Sequence, residues 1–190
     1  MNISQKTTEL QKIFLHKPGE RGKFNGFRID PKTQKQVKKQ VTEEIDFNVE
    51  DHLSGKVSQG IKPADDGNWC FADIDQQNIN PTEFCQELWH IDNKAIPFRS
   101  ISGGWHVFKI FPEVKSKKEL IKEQEQLEKK LSKKYKVDTK SGLPKHNRWV
   151  NAPFFGNSRL PYDSRGNPIN WEQFKHRIKY SNHPVIVAAI

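Results

Sequence analysis

The segment GNWCFADID, residues 67–75, constrains the fold more than any other stretch of the chain. Its apolar run predicts a β-strand, in which alternate side chains point to opposite faces. Asp73 and Asp75 therefore share one face with Trp69 and Phe71. Carboxylates two positions apart on a strand lie about 6.5 Å apart, close enough to bind one divalent ion or to flank two. The alternative is an ordinary strand end whose acids face water.

Around this strand, helix and strand patterns alternate without a strict order, which predicts an α+β fold with a mixed or antiparallel sheet. Amphipathic spacing and capping residues predict helices at four places. They begin near Ser4, at Pro81 after the cap Asn80, after Ser116, which forms a capping box with Glu119, and near Asn170. Strands are predicted within residues 50–75, joined by a turn at 64–67, within 97–111, around a Gly-Gly turn, and at 136–140 and 148–156.

Residues 16–40 are rich in Gly, Pro and Lys, which predicts a mobile arm or a long basic loop, or more simply a solvated linker. We therefore divide the protein into an N-terminal helix and basic arm, residues 1–48, packing on a core of residues 49–190. The apolar end of the sequence is expected to form a packed edge strand, or to continue into a longer native protein.

The formal net charge of +9 and a pI near 9.5 favour a polyanionic partner, most simply nucleic acid. No apolar run approaches the roughly 20 residues of a membrane span, and the N-terminus lacks the apolar stretch of a signal peptide. A cytoplasmic protein without a membrane partner is expected. Cys70 and Cys85 provide neither a zinc quartet nor a disulfide framework, so both are predicted to be buried thiols.

A second unusual segment, SGGWH, contains two adjacent glycines between a serine and a histidine. Ser102, Gly103 and Gly104 suit an anion cradle, because glycines let backbone N–H groups approach a phosphate. His106 stands just inside the strand that follows. The alternative is a hairpin turn followed by a histidine in the core.

A third segment, from residue 136 to residue 156, adds another carboxylate, three cations and an amide. These are Asp138, Lys140, Lys145, Arg148 and Asn151. With the first two segments they form an inventory suited to nucleotidyl transfer, in which two metal ions about 3.5–4 Å apart stabilise the attacking and leaving oxygens. One face of the helix after Ser116 carries four lysines, which are either simply solvated or follow the phosphates of a nucleic acid: Lys118, Lys122, Lys129 and Lys133.

In this order, FADID, SGGWHVF and VDTK resemble the three motifs of the archaeo-eukaryotic primase superfamily. Flanking segments between residues 50 and 175 are similar to the primase-polymerases of phages, plasmids, CRISPR-associated proteins and other mobile elements. The resemblance implies an RRM-like catalytic core over residues 49–190. It also implies a template-directed DNA primase or polymerase encoded by a prokaryote, phage or plasmid.

The resemblance further implies a role for each candidate residue. Asp73, Asp75 and Asp138 would be catalytic and would bind two Mg²⁺ or Mn²⁺ ions. The nucleotide-binding residues would be Ser102, Gly103, Gly104, His106, Lys140, Lys145, Arg148 and Asn151, with the four helix lysines contacting nucleic acid. The implied partners are a single-stranded template or primer-template DNA, dNTP or NTP, and a helicase in trans or on a longer native polypeptide.

Other classes of protein explain the sequence less well. A P-loop is excluded because Val57 follows Gly55-Lys56 where Ser or Thr is required. A rolling-circle nicking enzyme needs a histidine pair, and WHVF has only His106. A metal-dependent nuclease and a non-catalytic DNA-binding replication module stay open as alternatives. Metal binding that depends on both Asp73 and Asp75 would distinguish a catalytic site from a binding module.

Overall fold

The computed structural model describes residues 3–14, 21–29, 36–46, 48–61, 63–138 and 150–181. These residues form five helices and seven strands. The helices are α1 (Ile3–Phe14), α2 (Val49–Leu53), α3 (Pro81–Ile91), α4 (Lys117–Leu131) and α5 (Trp171–Ser181). The strands are β1 (Arg21–Ile29), β2 (Gln36–Asp46), β3 (Gln59–Ile61), β4 (Gly67–Ile74), β5 (Ala95–Arg99), β6 (Trp105–Lys115) and β7 (Val150–Asn151).

The strands form two antiparallel sheets. A four-stranded sheet has the order β2-β1-β3-β7, and a three-stranded sheet has the order β4-β6-β5. This confirms the prediction of an α+β fold with antiparallel sheets and flanking helices. Among the described residues, no helix is long and apolar enough to cross a lipid bilayer.

Both faces of the three-stranded sheet are buried, and the predicted alternation along β4 is confirmed. Trp69 and Phe71 face a large apolar core that also contains residues of α1, α5 and the four-stranded sheet. Ala72 and Ile74 face the opposite way, into a second core formed with α3 and α4. The sheet thus lies between two helices on one side and a mixed helix and sheet layer on the other.

Local capping chemistry fixes where two of the helices begin, as predicted. The Asn80 side chain accepts hydrogen bonds from the backbone N–H groups at the start of α3, and Pro81 occupies the first helical position. Ser116 and Glu119 form the expected capping box of α4. The thiols of Cys70 and Cys85 are free and buried, and burial raises the pKa of both.

The prediction of a mobile arm or basic loop over residues 16–40 is wrong for residues 21–29 and 36–40. These residues form β1 and the first part of β2, which pair with each other from Arg21↔Asp46 onward, and β1 also pairs with β3. Strand pairing uses backbone groups, so a composition rich in Gly and Lys did not exclude it.

The two strands predicted within residues 50–75 are present on either side of the 64–67 turn, but they do not pair with each other. The strands on either side of the 64–67 turn belong to different sheets, because β3 pairs with β1 and β7 while β4 pairs with β6. The first part of the range forms α2 instead. A turn signal marks where the backbone bends but does not specify which strands pair.

In the described parts of the two late segments, strand pairing is shorter than predicted. Val137 makes an isolated bridge to Ile74, and β7 takes up two of the described residues 150–156. A strand that lies at a sheet edge can be short because it has a pairing partner on one side only. Lys140, Lys145, Arg148 and the apolar C-terminal residues 182–190 lie outside the described residues.

Candidate active site

The three predicted carboxylates converge where β4 ends. Asp73 lies on the face of β4 that also carries Phe71, and its side chain is 24% exposed. Asp75 follows the last residue of the strand and is exposed. The N–H of Asp138 donates a 2.8 Å hydrogen bond to the backbone carbonyl of Asp73. Segments more than 60 residues apart in the sequence therefore bring their acids to one place.

This clustering changes the protonation of Asp73. Burial raises the pKa of its carboxyl group to about 7, and the neighbouring charges of Asp75 and Asp138 act in the same direction. At neutral pH the carboxyl group is therefore protonated in a large fraction of molecules. A strongly perturbed carboxylate surrounded by like charges is typical of a functional site, because a bound cation would relieve the repulsion.

His106 lies directly opposite Asp73 in the β4–β6 register. Its Nε2 is 3.6 Å from Asp73 Oδ1, an electrostatic contact just beyond hydrogen-bonding distance. Burial, together with the positive charge of Arg159, lowers the pKa of His106 to about 4. The imidazole is therefore neutral at physiological pH, so any contact it makes with a phosphate is that of a hydrogen-bond donor and not of a cation.

The glycine turn between β5 and β6 packs directly on the end of the acid strand. A Cβ added to Gly104 would lie 2.4 Å from the carbonyl oxygen of Ile74 and 3.6 Å from Cα of Asp75. Gly103 has a positive φ of 92°, which favours glycine, but a Cβ added there would make only an ordinary contact, 4.0 Å from Cγ of Gln77. Gly104 is thus required for close approach, and Gly103 for the turn conformation.

Two backbone N–H groups of this turn already have partners within it. Gly103 N–H donates to the carbonyl of Ser100, and Ser102 N–H donates to Ser100 Oγ. Ser102 itself is exposed, with its Oγ 2.8 Å from that of Ser100. An anion bound here would have to displace these bonds or use other donors. The predicted cradle therefore has fewer available amides than its sequence suggested.

The donors at the end of β4 fit a divalent metal in type. Carboxylate oxygens are the ligands that Mg²⁺ and Mn²⁺ prefer. However, no group of three or more His, Cys, Asp or Glu side chains among the described residues is arranged to hold an ion. Binding would thus require the side chains of Asp73, Asp75 and Asp138 to rotate toward one another.

The lysines predicted to contact nucleic acid lie on or just after α4, on the other side of the sheet from Asp73. Helix α4 covers the face of the three-stranded sheet opposite the Asp73 side chain, with Leu127 and Leu131 in the second core. Lys118, Lys122 and Lys129 are exposed on this helix. Lys133 is exposed in the turn that follows, since the helix ends earlier than its pattern predicted.

Asn151 lies in the four-stranded sheet, opposite Gly60 of β3. Its neighbours Val150 and Ala152 belong to the large apolar core, so Asn151 points to the other side of the strand. The structure thus places Asn151 away from the side chains of Asp73 and His106.

Two buried residues outside the predicted set were missed by sequence analysis. His52 has both ring nitrogens paired with the backbone, Nε2 to the Pro153 carbonyl at 2.9 Å and Nδ1 to the Gln59 N–H at 3.3 Å. Burial also lowers the pKa of His52 to about 4. Arg159 is 7% exposed. Neither residue belongs to one of the three motifs that carry the candidate site residues, so the sequence did not mark either one as part of a site.

No protein-family profile and no curated protein matches the sequence significantly.

Proposed function

We propose that the protein is a template-directed nucleotidyltransferase of the primase-polymerase type. The observation that carries this proposal is the convergence of Asp73, Asp75 and Asp138 at one strand end, beside His106 and Gly104. In the proposal, the three-stranded sheet with α3 and α4 is the RRM-like core, and the end of β4 is the catalytic edge.

Each side chain has a defined task in this proposal. Asp73, Asp75 and Asp138 would hold two Mg²⁺ or Mn²⁺ ions, which when bound supply charge stabilisation for the attacking and leaving oxygens. Neutral His106 donates a hydrogen bond to a phosphate oxygen of the incoming nucleotide. Gly104 holds the 100–104 turn against the acid strand, so that these groups keep a fixed distance from one another.

The direct test combines labelled nucleotide, a single-stranded DNA template and Mn²⁺, with and without an annealed primer. We expect incorporation by the wild type and none by Asp75→Asn, a substitution of an exposed residue that does not disturb the core. Lack of incorporation by the folded wild type with dNTP and NTP, in both Mg²⁺ and Mn²⁺, would refute the proposal.

The same reactions distinguish the two alternatives. A metal-dependent nuclease would shorten the labelled template in the absence of nucleotide. A non-catalytic DNA-binding module would bind template equally well in Mn²⁺ and in EDTA, with no effect of Asp75→Asn on Mn²⁺ binding. Nucleotide incorporation that requires metal is expected only of the polymerase.

His106→Ala is expected to raise the apparent KM for nucleotide about ten- to hundredfold. A hydrogen bond to a charged group contributes roughly 1.5–3 kcal/mol, and about 1.4 kcal/mol corresponds to tenfold in affinity. Template affinity should not change. Titration of nucleotide into each protein by calorimetry, with Tm measured in parallel, tests this.

His52→Gln is the matched control for His106→Ala. Both histidines are buried with a lowered pKa, but the ring nitrogens of His52 contact the backbone. We therefore expect His52→Gln to lower Tm and leave the KM for nucleotide unchanged. Equal nucleotide affinity of wild type and His106→Ala would exclude a role of His106 in nucleotide binding.

The affinity for single-stranded DNA should fall steeply with salt. Each neutralised phosphate contributes a slope of about −0.7 in log K against log salt for single strands. If each of four lysines contacts one phosphate, changing all four to glutamine is expected to reduce the magnitude of that slope by about 3. These lysines are Lys118, Lys122, Lys129 and Lys133. Turnover at saturating template should not change, because α4 covers the sheet face opposite Asp73. Fluorescence anisotropy at several salt concentrations measures the slope. An unaltered slope would show that these lysines do not contact DNA.

A further inference from the structure

Arg159 carries a buried positive charge that no carboxylate neutralises among the described residues. Its Nη2 donates to Ser58 Oγ at 2.8 Å, and its Nη1 makes a long, 3.4 Å contact with the carbonyl of Ala152. Its Nε is buried and has no hydrogen-bond partner among the described residues. Burial alone lowers the pKa of the guanidinium to about 10. The Phe155 ring, whose centroid is 5.1 Å from the guanidinium carbon, offsets part of the cost of burying this charge, but it supplies no opposite charge, so the site favours binding of an anion.

The backbone places Arg159 beside the glycine turn. Pro161 forms a bridge to Phe98 on the free edge of β5, and the Arg99 N–H donates to the carbonyl of Leu160. This antiparallel register brings Arg159 opposite Ser100, where the turn begins. Residues 159–161 thus lie along the free edge of β5, and Arg159 is at the end of the three-stranded sheet where Asp75 and Gly104 lie.

The side chain of Arg159 lies on the same side of the sheet as Asp73 and His106. Ser58 and Ala152, its two hydrogen-bond partners, adjoin β3 and β7 of the four-stranded sheet, which packs on that side. Its charge also acts on His106, helping to lower the pKa of that residue. The guanidinium therefore lies within electrostatic range of the histidine assigned to the nucleotide.

A cavity of about 300 Å³ separates the glycine turn from the loop that carries Arg159. Ser100, Ile101, Ser158, Arg159 and Tyr162 are among the residues that line it. This volume is at the lower end of the range for ligand pockets, about 300–1,000 Å³. The space suits a small anionic group next to the candidate active site.

The loop holds Arg159 in an unfavourable backbone conformation. Arg159 has a φ of 51°, in the left-handed region that non-glycine residues rarely occupy. The Phe154 N–H donates to the carbonyl of Arg159, which closes the loop and fixes this conformation. Phe154, at the other end of this hydrogen bond, also has a positive φ, of 60°, so the loop holds Arg159 in place at a cost in backbone strain.

We propose that Arg159 binds a phosphate group in the cavity between the 100–104 turn and the 157–160 loop. Because two amides of the turn are already engaged with Ser100, the planar guanidinium supplies the donors that the turn lacks. Whether the phosphate belongs to a nucleotide or to a DNA strand rests on the proposed function. The phosphate site itself rests on the geometry of Arg159.

The test is Arg159→Met, which removes the charge and keeps an unbranched side chain. Two probes are titrated in EDTA: inorganic tripolyphosphate, and a single-stranded oligonucleotide with a 5′-hydroxyl, whose phosphates are all diesters. We expect a loss of affinity of about ten- to hundredfold for at least one probe. A loss for tripolyphosphate assigns the site to the nucleotide, and a loss for the oligonucleotide alone assigns it to the strand.

Arg177→Met is the matched control. Arg177 is also largely buried with one unpaired Nε, but it donates to the carbonyl groups of Tyr162 at 2.6 Å and Ala95 at 2.9 Å. It is therefore a structural arginine, whose loss should lower Tm without changing either affinity. Arg159→Lys keeps the positive charge but lacks the planar guanidinium, so we expect it to bind the affected probe with intermediate affinity. This second variant tests the phosphate site even if Arg159→Met does not fold.

Unchanged affinity of folded Arg159→Met for both probes would overturn the inference, as would an equal loss in Arg177→Met. Neither probe reaction needs metal or turnover. Failure of this inference therefore leaves the incorporation test intact, and failure of incorporation leaves the phosphate site intact.

Discussion

Replacing Asp73 by asparagine is expected to make the metal-free protein more stable while reducing nucleotide incorporation by about a thousandfold. In the unfolded state the carboxyl group has its ordinary pKa of 3.8, whereas burial and the charges of Asp75 and Asp138 raise the pKa to about 7 in the folded protein. The folded state thus binds the proton more tightly. Wild-type stability therefore falls as the pH rises from about 4 to about 7, and stays low above that range.

The stability gain of Asp73→Asn should be visible at pH 8 and absent at pH 4. The rise in the pKa of Asp73 from 3.8 to about 7, at about 1.4 kcal/mol for each pH unit, limits the stability gain to about 4 kcal/mol. Because solvent reaches part of the side chain, we expect about 1–2 kcal/mol, or a Tm higher by roughly 3–6 °C. Thermal unfolding in EDTA at both pH values measures this.

Incorporation by Asp73→Asn should fall by about a thousandfold, as expected when one group that stabilises transition-state charge is removed. Mn²⁺ should raise the Tm of the wild type and not that of the variant, since a ligand stabilises only the protein that binds it. Asp75→Asn, which alters an exposed residue, is the control: the same loss of activity with a smaller change in Tm. A lower Tm with normal incorporation would make Asp73 a structural residue.

Gly104→Ala is expected to damage folding stability and activity together. The added methyl group would lie 2.4 Å from the Ile74 carbonyl oxygen, which belongs to the backbone and cannot rotate away. The turn must therefore move off the acid strand. Forced overpacking typically costs about 1–3 kcal/mol, and a displacement of about 1 Å can reduce turnover about a hundredfold. Urea unfolding and incorporation by the folded fraction measure the two effects.

Gly103→Ala is the matched control for this substitution. Gly103 has room for a methyl group, but its φ of 92° is unfavourable for alanine. We expect a loss of stability of about 1–3 kcal/mol from backbone strain, with turnover per folded molecule close to that of the wild type. If Gly104→Ala has wild-type turnover per folded molecule, then contact between the turn and the acid strand is not needed for activity.

Features governed by short-range chemistry could be predicted from the sequence. The alternation along β4, the caps Asn80 and Ser116, and the turn before His106 each depend on residues a few positions apart. Pairing over long distances could not be predicted in this way. The strands at residues 21–29 and 36–46 depend on backbone partners, which composition does not reveal.

The same distinction between local and long-range features applies to the candidate site. Asp73, Asp75 and His106 occur in short motifs, so the sequence identified them. The lowered pKa of His106 depends on burial and on Arg159, which is 53 positions away in the sequence. No local pattern marks Arg159, because its surroundings are created by tertiary packing alone.

The pairing of β3 with β7 has a consequence for the order of folding. It joins Ile61 to Val150, so about 90 residues lie between the paired strands. Closing so long a loop costs conformational entropy before the new contacts can offset it, whereas β5 and β6 are joined by a short turn. Pulsed hydrogen exchange during refolding should therefore protect the β6 amides before those of β7. Asp73 and His106 would come together early, Asp138 would join them later, and the loop bearing Arg159 would dock last and bring a positive charge to carboxylates already in place.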